Sequence, residues 1–132
     1  MRYMMMTKND PNHPVEPPTP EMYAAMGKLI EEMSKAGVLL ATGGLGPNPT
    51  QVISSSGKVT ITDGPFTEAK ELVAGFTIIQ VKSLEEAIEL VKRTPNVFPN
   101  GEAVVEIRKL MDVEDFGDAF TPNPEIAKVK FK

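Results

Sequence analysis

The densest collection of chemically useful side chains in this 132-residue chain is the run Asp63-Gly64-Pro65-Phe66-Thr67-Glu68-Ala69-Lys70-Glu71. Asp63 opens an Asp-Gly turn, which glycine favours because it tolerates positive φ. Two readings of Asp63 stand side by side. It bonds nearby backbone amides as a turn residue, or it stands at the mouth of a cleft as a ligand anchor or general base. The second role requires reach to a substrate proton, directly or through one water. Glu68 and Glu71 lie three apart and share a face if Thr67 caps a short helical turn. Paired carboxylates divide into acid and base when their environments differ; otherwise they form a solvated surface. Lys70 neutralises one of them or grips an anionic ligand. The catalytic candidates are therefore Asp63 and Glu68. The candidates for ligand contact are Asp63, Gly64, Pro65, Phe66 and Lys70.

Other chemistry has little to draw on. The chain contains no cysteine and one histidine, His13. Disulfides, thiol nucleophiles and thiolate metal ligands are excluded. A zinc centre, which wants several His or Cys ligands, is not expected, and no other metal or cofactor is implied. His13 sits in a proline-rich loop, either as a lone loop residue or folded back. Gly43-Gly44-Leu45-Gly46 invites a phosphate-loop reading, but no Gly-Lys-Ser or Gly-Lys-Thr follows and Pro47 comes next where a helix should start. A strand end or turn at a sheet edge fits better. Met4, Met5, Met6, Met22, Met26 and Met33 read as adaptable core filler, or as the lining of a pocket for a small apolar ligand.

Hydrophobic residues make up 41% and charged residues 24%, a soluble globular composition sized for one domain. The net charge of −4 argues against a nucleic-acid binder, which needs a basic stripe. No apolar run approaches the ~18 residues that span a bilayer, and Lys8, Asn9 and Asp10 interrupt any leader at once. The expectation is a cytoplasmic protein with neither nucleic-acid nor membrane partners.

The elements follow from periodicity and punctuation. Arg2–Met6 reads as a strand, and Asn9–Pro20, with five prolines, as a loop. Thr19 caps a helix with Pro20 at its first position and Met22, Met26, Leu29, Ile30 and Met33 on one stripe. Gly37 ends it. Val38–Ala41 is a strand broken by the glycines and prolines that follow. Thr50–Ser54 and Lys58–Thr62 form a hairpin around Ser55-Ser56-Gly57. Gly75–Val81 is apolar on both faces, with Phe76 and Ile78 on one and Ile79 and Val81 on the other. Ser83 and Glu86 form a capping box ahead of a second helix with stripe Leu84, Ala87, Ile88 and Val91. Thr94-Pro95 stops it. Ala103–Lys109 is the last strand, Val105 and Ile107 facing away from Glu106 and Arg108. The tail beyond residue 110 is acidic, with Asp112, Glu114, Asp115 and Asp118, and alternates again at Val129 and Phe131.

Strand, helix, strand with hairpin, strand, helix, strand is the split β-α-β, or ferredoxin-like, order of an α+β domain. Both helices then cover one face of an antiparallel sheet. Met5, Phe76 and Ile78 are expected on the other face, an exposed apolar surface that a second copy would hide in a two-fold homodimer. The expected organisation is a domain over residues 1–110 and a C-terminal arm over 111–132 that packs on the domain or the partner.

The Asp63-to-Phe66 core, followed by Thr-Glu-Ala-Lys-Glu and Gly75-Phe76, resembles the DGPF-type branch of the YCII-related domain family over Arg2 to about Leu110. That resemblance implies a dimeric α+β barrel, two sheets closing around a shared interior. In members of the family that look catalytic, a histidine on or just before the first helix works with an aspartate. Here the matching segment, Thr19 to Met33, holds no histidine. What carries over is the motif, not a reaction. The leading expectation is a homodimer that binds a small molecule in a cleft near Asp63. The alternatives are a cofactor-free isomerase or lyase with Asp63 or Glu68 as general acid or base, and a regulatory module. The last follows from the resemblance to DGPF-type proteins, often encoded beside extracytoplasmic-function sigma factors.

Overall fold

The computed structural model describes residues 1–9, 19–46, 48–64, 72–94 and 104–120. Its elements are strand β1 (Arg2–Asn9), helix α1 (Pro20–Lys35), strands β2 (Leu39–Gly44), β3 (Thr50–Ser55), β4 (Lys58–Asp63) and β5 (Leu72–Gln80), helix α2 (Leu84–Arg93), strand β6 (Val104–Lys109) and a 3₁₀ segment (Val113–Phe120). Four strands form one sheet in the order β2-β5-β1-β6, and every pairing is antiparallel. This is the ferredoxin-like arrangement in an α+β domain. The β3–β4 hairpin is inserted between its second and third strands as a separate two-stranded sheet.

Alternation sorts the sheet into two faces. Tyr3 and Met5 of β1 join Ile79 and Val81 in a core that includes Leu29 and Met33 of α1 and Ala87 of α2. Val105 and Ile107 of β6 pack against its margin. Both helices therefore cover the same face. On the opposite face the register sets Ala41, Ile78, Met4 and Arg108 in one row across the sheet, and Gly43, Phe76, Met6 and Glu106 in the next. Ile78 is buried there, while Met4, Met6, Phe76 and Ala41 are half-buried. Met5, expected on this face, lies on the helix side instead, and Met4 and Met6 take its place. Three consecutive methionines are apolar in either phase, so the pairing of Tyr3 with Ile79, and not the alternation itself, fixes which side turns inward.

Local chemistry sets the helix ends. The Thr19 hydroxyl accepts from the Met22 amide at 3.2 Å, with Pro20 in the first turn. At the other end Gly37 has φ +72°. Its amide donates to the Ser34 carbonyl at 3.1 Å and the Val38 amide donates to the Met33 carbonyl at 3.0 Å. This is a Schellman cap, and it turns the chain straight into β2. In α2 the Ser83 hydroxyl accepts from the Glu86 amide at 3.2 Å. The Glu86 carboxylate reaches back to the Lys82 amide at 2.6 Å, one residue beyond the usual capping-box target.

The α2 stripe is rotated from expectation. Ala87 is fully buried and Leu90 and Val91 pack on the core, whereas Leu84 and Ile88 are exposed. Small Ala87 lets the helix axis approach the sheet, and Leu90 fills the space beside it. The ion pair of Arg93 with Glu32 links α2 to α1.

Residues following β6 are tied to the start of β1. The Leu110 amide donates to the Arg2 carbonyl at 2.9 Å, and the Arg2 guanidinium pairs with Asp112. The Asp115 carboxylate accepts from the Asp112 amide at 2.7 Å, capping the 3₁₀ segment. The expectations for the proline-rich loop with His13, for Pro47, for a helical turn after Thr67, for the loop at Asn96–Gly101 and for alternation at Val129 and Phe131 fall outside the described residues.

Candidate functional site

Asp63 is the last residue of β4, at the root of the β3–β4 hairpin. The hairpin forms because Ser56 and Gly57, at φ +50° and +77°, make the two-residue, positive-φ turn that suits the twist of paired strands. Counting outward from that turn pairs Thr50 with Asp63. The Thr50 hydroxyl donates to Asp63 Oδ1 at 2.7 Å. Immediately beyond, the Gly64 amide donates to the Pro49 carbonyl at 2.6 Å. Among the described residues, Asp63 thus takes its bond from a side-chain hydroxyl across the ladder. The carboxylate is otherwise exposed.

This arrangement holds the Asp63 backbone by paired bonds and leaves acceptor capacity on its carboxylate facing outward. Such a group can accept from an N–H or O–H of a ligand or pair with a cation. Gly64 is half-buried beside it. Pro65, Phe66, Glu68 and Lys70, the other residues singled out in the motif, fall outside the described residues. Among the described residues no group of three or more His, Asp or Glu side chains gathers in metal-ligand fashion, and no helix is long and apolar enough to cross a membrane.

The glycines of β2 have a packing role. Gly43 pairs with Phe76 and Gly44 with Gly75. A Cβ on Gly43 would meet the Phe76 ring at 3.2 Å, and one on Gly75 would meet the Gly43 carbonyl oxygen at 3.2 Å. The aromatic ring lies over the glycine of the neighbouring strand. These glycines belong to an edge strand and lead into no helix, so they do not form a phosphate loop.

Two features had no motif to announce them. The Thr42 hydroxyl bonds the Phe76 carbonyl at 3.1 Å and shares a hydrogen bond of 3.0 Å with the Thr77 hydroxyl. A groove of about 600 Å³ lies at the opposite end of β2 and β5 from the hairpin, lined by Val38, Gln80, Val81, Ser83, Glu86 and Leu90 among others. Ser83 and Glu86 already serve the α2 cap there.

Similarity to known proteins bears on the family. The uncharacterized protein R00369 of Rhizobium meliloti (strain 1021) is 39% identical over 46 residues, which is 35% of this chain and 37% of that protein. The match therefore spans little more than a third of the relative's length. The crystal structure of CutA1 from Pyrococcus horikoshii aligns over 98% of this chain and 100% of its own with 15% identity and a TM-score of 0.36, too slight a likeness to bear on fold or function. The family model for the YCII-related domain matches residues 1–113, nearly the whole of the described fold, and the chain belongs to that family.

Proposed function

We propose that this chain is a homodimeric protein of the DGPF-type branch that binds a small molecule in a cleft beside Asp63, the cleft being closed where two subunits meet. Residues 1–110 would supply the domain and the segment from residue 111 would pack against it, as the Arg2–Asp112 pair at its start favours. The dimer reading is supported by the helix-free side of the sheet, where Ala41, Ile78 and Met4 run side by side with Phe76 and Met6. An apolar sheet face of this kind is more stable beneath a second layer. The observation that carries the binding reading is the Asp63 carboxylate. Thr50 and the Pro49–Gly64 bond hold its position, while its free acceptor capacity points outward.

The test is a thermal-shift screen against small metabolites carrying N–H, O–H or cationic groups. Asp63→Asn retains an oxygen for Thr50 and removes the charge. A compound that raises the melting temperature of the native chain, and does so at least tenfold more weakly for Asp63→Asn, is the expected result. If no compound raises it, or if Asp63→Asn responds equally, the binding reading is wrong.

A further inference from the structure

The β3–β4 hairpin carries apolar surface that its own chain does not use. All twelve of its strand residues are exposed. Val52, Val59 and Ile61, at 63%, 64% and 68% exposure, are among the most exposed large apolar side chains described. The register places them on one face: Val52 opposite Ile61, Ser54 opposite Val59, and Thr50 opposite Asp63 at the root. An isolated two-stranded hairpin is at best marginally stable in water and needs a further strand or a packed layer.

We infer that this hairpin is an arm that crosses to a second copy of the chain and lays Val52, Val59 and Ile61 along that copy's β6 edge. The inference rests on the homodimer proposed above and adds the element that clasps it. Area is the first argument. Four strands spaced about 4.8 Å and roughly 20 Å long give the helix-free sheet face at most about 400 Å², and part of that is already covered within one copy, where Ile78 is buried and Met4, Met6, Phe76 and Ala41 are half-buried. Two such faces therefore bury less than about 800 Å² in total, the scale of a packing contact in a crystal, whereas a specific interface buries about 1,200–2,000 Å². One face of the arm supplies about 200 Å² and covers as much again on the partner, so two arms add about 800 Å² and bring the total toward that range.

The receiving surface is the second argument. Among the described strands β6 is outermost in the sheet. Val104 at its start and Met111 just past its end are exposed apolar side chains. Arg108, exposed on β6, makes no ion pair among the described residues. The arm's apolar face ends in the Asp63 carboxylate, so the two surfaces match in charge as well as in apolar character. An arm docked in this way also brings the Asp63 root of one copy beside the sheet of the other, so the proposed cleft has walls from both chains.

The experiment is sedimentation velocity over a dilution series on the native chain and on the double variant Val52→Thr/Ile61→Thr. Both side chains are exposed within one copy, and threonine keeps the branched β-carbon that suits a strand without setting like charges across the ladder, so the variant's circular dichroism and melting at monomeric concentration should match the native chain. The expected result is a native dimer and a variant whose dimerisation is weaker by at least tenfold. A native dimer with an equally tight variant dimer overturns the arm while leaving the homodimer intact. A native chain that stays monomeric throughout overturns the homodimer, and the arm with it. Should the variant fold poorly, hydrogen exchange of the native chain decides. Amides of residues 50–63 should be protected at dimer concentration and lose protection on dilution; equal exchange at both concentrations contradicts the arm.

Discussion

The β1–β5 pair and the β3–β4 pair are built from similar material and have opposite fates. Both are antiparallel ladders rich in aliphatic side chains, the first with a bulge between Thr7 and Lys8 and the second in unbroken register. Yet Ile79 of β5 is fully buried and Ile61 of β4 is 68% exposed. What separates them is the cover. Helices α1 and α2 begin and end at caps that lay them on β1 and β5, whereas every strand residue of the hairpin is exposed. Period-2 alternation specifies a strand with one apolar face; it does not specify what that face will meet.

Substitutions should separate the two regions sharply. Ile79→Ala removes buried volume from the centre of the core, and a loss of about 2–5 kcal/mol is expected in denaturant unfolding. Gly75→Ala forces a methyl against the Gly43 carbonyl, a backbone atom that gives way only if β2 moves; a loss of about 1–3 kcal/mol is expected. Ser83→Ala removes the α2 cap at a cost of about 1 kcal/mol, visible as lower helicity and melting temperature. Ile61→Ala, measured on dilute monomer, should change stability by less than about 0.5 kcal/mol, because the side chain has little to lose within one copy. If Ile61→Ala proved as costly as Ile79→Ala in dilute solution, the contrast between the two regions would be false.

Much of the fold was legible because its signals are local. Thr19-Pro20, Gly37 and Ser83 mark helix ends with specific hydrogen-bonding chemistry, and the structure uses each of them. The hairpin was legible but its register was not: a turn over Ser55-Ser56-Gly57 would set Thr50 opposite Thr62, whereas the observed two-residue loop pairs Ser55 with Lys58 and so brings Thr50 opposite Asp63. The face of β1 was not legible, because Met4-Met5-Met6 is apolar in both phases. Nor was the rotation of α2. Leu84 and Ile88 offer as good a stripe as Leu90 and Val91, and the choice is made by how closely Ala87 allows the helix to approach the sheet. The Thr42–Thr77 contact depends on the strand order β2-β5, which no short motif encodes.

In the proposed dimer a second copy completes the helix-free face of the sheet, with Asp63 at the rim of the space between the two. Sedimentation equilibrium of the native chain across a hundredfold dilution tests it most directly. The expected result is the mass of two chains at the upper concentrations, falling toward one on dilution. A single-chain mass at every concentration would contradict it.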